Sequence, residues 1–255
     1  APALIAGNTV VAKPSEITPY TAYKLGEICK DAGLPPGVLN IIHGQGNTAG
    51  DALVSHPKIK AISFTGGTAT GKLIAEKTAS SFKKLSLEMG GKNPNIIFND
   101  CDFEAAINGT LRAAFANQGQ ICLCGSRIMV EKELYPKFRD ELVKRINNLV
   151  QGDPLNEQTD QGAVVSKAHF DKIISAIELA KKEGGKILTG GTPLERPGYY
   201  IRPTLIEGLG QNCQTNQEEI FGPVATICPF AKVEEVIEMA NATKYGLAGS
   251  IWSED

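Results

Sequence analysis

Two cysteines, Cys122 and Cys124, sit in the segment Phe115-Ala116-Asn117-Gln118-Gly119-Gln120-Ile121-Cys122-Leu123-Cys124-Gly125-Ser126-Arg127. A helical pattern ends in this segment, and the apolar strand Arg127–Val130 leaves it. A turn at that junction presents a thiol on a rigid support, which is what nucleophilic catalysis needs. Other thiol chemistry fits less well. One Cys-x-Cys supplies too few zinc ligands, and His43, His56 and His169 fall in unrelated turns and a helix start, where each reads as a surface residue. A disulfide across one intervening residue would be strained. No metal site is expected. On these grounds alone either cysteine could be the nucleophile.

Further groups could serve a thiol. Glu88 follows Leu85-Ser86-Leu87 and precedes Met89-Gly90-Gly91, so it ends a strand beside a flexible break. A carboxylate there can act as a general base, or merely cap a loop. Lys13 and Glu16, in Lys13-Pro14-Ser15-Glu16 after the first strand, could grip the hydroxyls of a ribose. The negative charge of Glu16 would then disfavour a 2′-phosphate. Thr65-Gly66-Gly67-Thr68-Ala69-Thr70-Gly71 joins a strand to a helix start, a place where free N–H groups favour an anion. Its spacing is not Gly-x-Gly-x-x-Gly, so the usual dinucleotide fingerprint is absent. Glu218-Glu219-Ile220-Phe221-Gly222-Pro223-Val224 sets an acid and an aromatic ahead of a rigid turn. Taken singly, these stretches also read as solvated pairs or as turns that need a positive φ.

The elements that must position these groups alternate. Strands are expected at Thr9–Ala12, Val38–Ile42, Ala61–Phe64 and Leu85–Glu88. Helices are expected from Thr18-Pro19 to Ala32, over Ala49–Val54 and over Lys72–Thr78. This predicts a parallel sheet with helices on its faces, a Rossmann-like unit. Met89-Gly90-Gly91-Lys92 reads as a boundary. The pattern then restarts with strands at Asn95–Phe98, Arg127–Val130, Lys186–Thr189, Arg202–Ile206, Ala225–Phe230 and Ala248–Trp252. Helices near Phe103–Ala116, Leu134–Val150, Lys167–Glu183 and Val233–Asn241 separate them. The expected architecture is α/β, with a first domain over residues 1–89 and a second over 90–255.

Composition bounds the rest. The chain has 255 residues, 42% hydrophobic and 21% charged, with a net charge of −2. That is ordinary for a globular protein and speaks against nucleic acid or an anionic membrane as partner. Six cysteines without a Cys-x-x-Cys read as a reduced, cytoplasmic protein rather than a disulfide framework. No apolar run reaches the length of a membrane span. The chain opens at Ala1-Pro2-Ala3-Leu4-Ile5 without a Met, runs straight into strand-like sequence, and closes just after another strand-like stretch. It is therefore expected to be an internal stretch of a longer chain.

In this order, the motifs resemble those of the aldehyde dehydrogenase superfamily across essentially the whole chain. They are Gly7-Asn8-Thr9-Val10-Val11, Lys13–Glu16, Gly33–Asn40, Ser63–Gly67, Leu87–Lys92, Asn117–Gln120 with Cys122, and Glu218–Val224. The resemblance implies an NAD-binding first domain and a catalytic second domain. It singles out Cys122 as the nucleophile, which would attack an aldehyde to give a thiohemiacetal and, after hydride transfer to NAD⁺, a thioester. It implies that Glu88 activates the hydrolytic water and that the Cys122 N–H donates to the oxyanion. It places Lys13 and Glu16 at the adenosine ribose, Gly44, Gly66 and Gly67 on cofactor-lining turns, and Thr70 near the adenine. Met89 would meet the nicotinamide amide through its carbonyl, and Glu219 and Phe221 the nicotinamide ribose. Cys124 is left to pack behind the turn.

Many relatives carry Ser where Gly67 stands, so one pyrophosphate contact is expected to be missing. The second oxyanion donor of the family, an Asn in a Pro-Trp-Asn segment, falls upstream of Ala1, and the oligomerisation strands fall downstream of Asp255. The isolated chain is therefore expected to be inactive, and the whole protein to be a homodimer or homotetramer acting on a small aldehyde. Phe115–Cys124 and Lys83–Glu88 look most like the 2-aminomuconic and 2-hydroxymuconic semialdehyde dehydrogenase branch. That implies a semialdehyde with a conjugated carboxylate; betaine-type, broad-specificity and non-catalytic NAD-binding members are the alternatives.

Overall fold

The computed structural model describes residues 1–255 and divides into two compact units, Ala1–Glu88 and Met89–Asp255. The first begins with a single helical turn, α1 (Pro2–Ile5). Pro2 at the first helical position fixes φ for the helix, and four residues are too few to show a period. Strands β1 (Val10–Ala12) and β2 (Leu39–Ile41) flank α2 (Tyr20–Asp31) and pair in parallel. A π-helical turn at Gly46–Gly50 runs into α3 (Asp51–Ser55). Strands β3 (Ala61–Thr65) and β4 (Lys84–Glu88), also parallel, flank α4 (Thr68–Thr78). The parallel pairing matches the expected class. The strands form two separate two-stranded pairs, however, because no ladder joins β1 or β2 to β3 or β4.

The second unit holds one six-stranded sheet. Its strands are β5 (Pro94–Ile97), β6 (Arg127–Glu131), β7 (Lys186–Thr189), β8 (Thr204–Glu207), β9 (Val224–Phe230) and β10 (Ser250–Trp252), in the order β10-β5-β6-β9-β8-β7. All neighbours are parallel except β7 with β8. Helix α5 (Phe103–Phe115) starts where the Asp102 carboxylate accepts the Ala105 N–H at 3.0 Å. Helix α7 (Lys167–Lys182) starts where the Ser166 hydroxyl accepts the His169 N–H at 3.2 Å. With α6 (Tyr135–Asn147), the short polar turn α8 (Gln214–Gln217) and α9 (Val233–Asn241), they complete the unit.

Side chains that alternate along the strands divide between two faces. Ile97, Ile128, Val130 and Leu205 pack with Ile107 and Phe115 of α5 and Phe138 and Leu142 of α6. The intervening Ile96 and Met129 pack with Val236 of α9, and Ile206 packs with Ile173 and Ile177 of α7. A parallel sheet covered on both faces is the arrangement that buries such strands fully. The segment that carries Cys122 and Cys124 leads from α5 into this sheet at β6.

Candidate active site

The path from α5 to β6 is held in an unusual shape. After Phe115 the chain takes three successive left-handed residues, Asn117 (φ 49°), Gln118 (φ 57°) and Gly119 (φ 67°). Non-glycine residues enter this region at a cost of about 1–3 kcal/mol each, so the surroundings must over-determine it. They do. The Gln161 amide donates to the Phe115 carbonyl at 2.5 Å, the Asn117 amide to the Gln120 carbonyl at 3.1 Å, and the Val165 N–H to the Gln120 side-chain oxygen at 3.0 Å. With its amide oriented to satisfy both neighbours, Gln118 donates to the Asn117 carbonyl at 3.0 Å and accepts the Gly162 N–H at 2.7 Å. A Cβ on Gly119 would stand 2.0 Å from the Gly222 carbonyl oxygen, so only glycine admits that approach.

This bent approach delivers a tight turn. The Cys124 N–H donates to the Ile121 carbonyl at 3.1 Å, which puts Cys122 at the first corner. The Cys122 and Leu123 N–H groups donate to no protein acceptor. Cys122 is half-buried, whereas Cys124 is buried, and burial pushes its thiol up to about 11. A thiol that must lose its proton to react is poorly served by that position, which separates the two cysteines chemically. All six are free.

Behind the turn lies a small cleft lined in part by Gly91, Lys92, Cys124, Glu219 and Phe221. Two of the predicted residues, Glu219 and Phe221, line it. The Gly91 N–H donates to Glu219 Oε1 at 3.1 Å, and a Cβ on Gly90 would stand 2.2 Å from Glu219 Oε2, so the Gly90-Gly91 backbone lies against that carboxylate. Phe221 is itself left-handed (φ 59°) and exposed, with its ring edge-on to His169 at 6.0 Å.

Sequence reasoning missed the residues that fix this corner. His169, read as a surface residue, is half-buried and bonds the Phe221 carbonyl at 2.5 Å through Nε2. Burial lowers its pKa, opposed by that bond. Lys172 donates to the Glu219 carbonyl at 3.3 Å. The only local signal was their spacing, since i and i+3 share a helix face.

In the first unit, Lys13, Glu16 and Gly44 converge. Lys13 Nζ donates to the Pro14 carbonyl at 2.5 Å and the Gly44 carbonyl at 3.2 Å, and stands 3.6 Å from Glu16. Gly66 and Gly67 lie between β3 and α4, and the Gly66 N–H donates to the Glu88 carbonyl at 3.0 Å. A Cβ on Gly66 would meet the Phe64 ring at 2.6 Å, whereas one on Gly67 would meet open space. Helix α4 starts at Thr68 rather than Lys72, so Thr70 lies in its first turn, and no side chain caps it. The Thr68 and Ala69 N–H groups have no protein acceptor and are free for an anion, whereas the Thr70 and Gly71 N–H groups donate to the Gly67 carbonyl at 3.0 and 3.1 Å. Glu88 is the last residue of β4. No helix is long and apolar enough to cross a membrane, and no group of three or more His, Cys, Asp or Glu could hold a metal.

The family model for the aldehyde dehydrogenase family matches residues 1–255. The chain is 49% identical to 2-aminomuconic semialdehyde dehydrogenase of Danio rerio over 262 residues, covering 100% of this chain and 54% of that protein. It is 45% identical to betaine aldehyde dehydrogenase of Bacillus subtilis, covering 100% and 53%. The crystal structure of betaine aldehyde dehydrogenase from Staphylococcus aureus in complex with NAD⁺ superposes with a TM-score of 0.97 at 40% identity, covering 100% of this chain and 52% of that one. The chain thus spans about half the length of the relatives it matches. A match over every residue at this identity leaves one assignment: the chain belongs to the aldehyde dehydrogenase family.

Proposed function

We propose that the protein is an NAD-dependent aldehyde dehydrogenase of the hydrolytic kind, with Cys122 as nucleophile and Glu88 as general base. One observation carries the reading: a half-buried thiol at the corner of a braced turn, with two acceptor-free N–H groups beside it. The Cys122 thiolate attacks the aldehyde carbon, and its N–H donates to the oxygen as charge develops there. When bound, NAD supplies the hydride acceptor that takes the adduct to a thioester. Glu88 then withdraws a proton from the water that attacks the thioester.

The residues present fit that cofactor. In the unit Ala1–Glu88, the NAD-binding domain of this reading, Lys13 and Glu16 would hold the adenosine ribose. Gly44, Gly66, Gly67 and the uncapped start of α4 would receive the phosphates, with Thr70 near the adenine. In Met89–Asp255, the catalytic domain, the Met89 carbonyl would orient the nicotinamide amide and Glu219 and Phe221 its ribose. The open space at Gly67 would accommodate a serine, so its lack of a hydroxyl removes a contact without a steric reason.

The substrate we assign is a muconic-type semialdehyde, supported by the 49% identity to an enzyme named for one. The 45% identity to a betaine aldehyde dehydrogenase supports the second reading. We place the protein in the cytoplasm as a homodimer or homotetramer. In the full-length protein, Cys122→Ala is expected to abolish NADH formation, and Glu88→Gln to leave one burst of NADH followed by slow turnover. Unchanged steady-state turnover in either variant refutes the assigned role. The ratio of kcat/KM for a muconic semialdehyde and betaine aldehyde decides between the two substrates.

A further inference from the structure

We infer that Asn93 is a positioning residue for the nucleophilic turn: its amide pins the Cys122 and Cys124 carbonyls and so presents the Leu123 N–H on the reacting side. The inference rests on the reading of Cys122 as nucleophile.

Asn93 lies between the Gly90-Gly91 break and β5 and is 3% exposed. Its Nδ2 donates to the Cys122 carbonyl at 2.8 Å and the Cys124 carbonyl at 3.0 Å. Its Oδ1 accepts the Ala248 N–H at 3.0 Å, and its own carbonyl accepts the Arg127 N–H at 3.3 Å. Both amide hydrogens are thus committed to the turn, and the oxygen ties it to the segment before β10. Flipping the amide would set oxygen against two carbonyls and nitrogen against an N–H, so the network fixes its orientation. Room for it depends on Gly91. A Cβ there would stand 2.8 Å from the Cys122 oxygen and 2.7 Å and 2.9 Å from the Asn93 amide atoms.

The consequence follows from peptide planarity. The bond between Cys122 and Leu123 is trans, so its C=O and N–H point in opposite directions. Drawing the carbonyl inward to Asn93 sends the Leu123 N–H outward. That N–H has no protein acceptor, and the Leu123 side chain is exposed. Two backbone donors, of Cys122 and Leu123, are therefore fixed beside the thiol before any substrate arrives. Donors held in place in advance stabilise a developing oxyanion without reorganising.

The test uses the full-length protein and compares wild type with Asn93→Asp and Asn93→Ser in single-turnover NADH formation at saturating NAD⁺, alongside NAD⁺ affinity and Tm. Asn93→Asp keeps the shape and the acceptor toward Ala248 but loses the donor. It is expected to slow the single turnover about 100-fold, the scale of a misplaced reacting group, while the Kd for NAD⁺ stays within about twofold. Asn93→Ser is the milder change, retains one donor, and should fall between the two. It carries the test if the aspartate variant does not fold. Rates that stay unchanged, or that fall only in step with NAD⁺ affinity or with loss of folded protein, overturn the inference. If Cys122→Ala retains NADH formation, the nucleophile assignment has failed instead.

Discussion

The two units share one sequence rhythm and bury it very differently. In Met89–Asp255, β6 is buried along almost its whole length and three apolar clusters cover both sheet faces. In Ala1–Glu88, Ile74 is the only apolar side chain in the buried class, and α2 leaves Tyr20, Tyr23, Leu25 and Ile28 exposed. Among residues 1–88 the same alternation yields an α/β path whose helix faces stay open, whereas among residues 89–255 it yields a covered sheet. Burial requires enough strands side by side for helices to cover, and two-stranded pairs do not supply that. The thiol turn stands on the well-packed unit, whereas the glycine turns stand on the lightly buried one.

The largest expected contrast is in core truncation. Phe138→Ala removes a ring with no exposed surface and should lower stability by about 3–5 kcal/mol in urea unfolding. Ile28→Ala, on the exposed face of α2, should change it by no more than about 0.5 kcal/mol. Comparable losses would mean that burial does not separate the units.

This contrast explains what was legible in the sequence. The bounds of α9 and β7 match expectation to the residue, because each has a clear period between breakers. The thiol turn and the Glu219–Phe221 corner were legible as motifs. Asn93 and His169 were not, because their partners are carbonyls 29 and 52 residues away, and a backbone carbonyl leaves no trace in residue type. The start of α4 was placed late because Thr68 and Thr70 are weak helix formers that follow Gly66-Gly67 and so extend the look of a turn. That the first unit holds two strand pairs was likewise invisible, since sheet continuity depends on pairing rather than local pattern.

A second contrast concerns charge. Lys13 in the first unit has carbonyl partners, whereas Lys92 in the second is 2% exposed, and burial, then the charge of Arg127, lowers its pKa to about 8. A folded pKa below the unfolded value of 10.5 means that folding opposes protonation. The penalty is complete below about pH 8 and is relieved as pH rises from there toward 10.5. The shift corresponds to about 3 kcal/mol. Lys92→Met should therefore raise stability at pH 7 by about 2–3 kcal/mol, discounted for the imperfect fit of the new side chain. The gain over wild type should shrink steadily between pH 8 and 10.5, as denaturant unfolding at several pH values will read. A constant difference would remove the link to titration.

The smallest effect probes the backbone. Phe82 (φ 49°) and Gln118 (φ 57°) are both left-handed non-glycine residues, one in each unit. Phe82 is 92% exposed, so its side chain offers little to offset its conformation. Gln118 is tied by its amide to Asn117 and Gly162. Glycine relieves the strain at either position but adds freedom to the unfolded chain. For Phe82→Gly the relief should win, stabilising by about 0.5–1 kcal/mol. For Gln118→Gly the relief is cancelled by two lost hydrogen bonds at about 1 kcal/mol each, and stability should fall slightly. The same substitution should thus carry opposite signs in the two units. A stabilising Gln118→Gly would show that the bracing of Gln118 by Asn117 and Gly162 contributes nothing to holding the approach to Cys122.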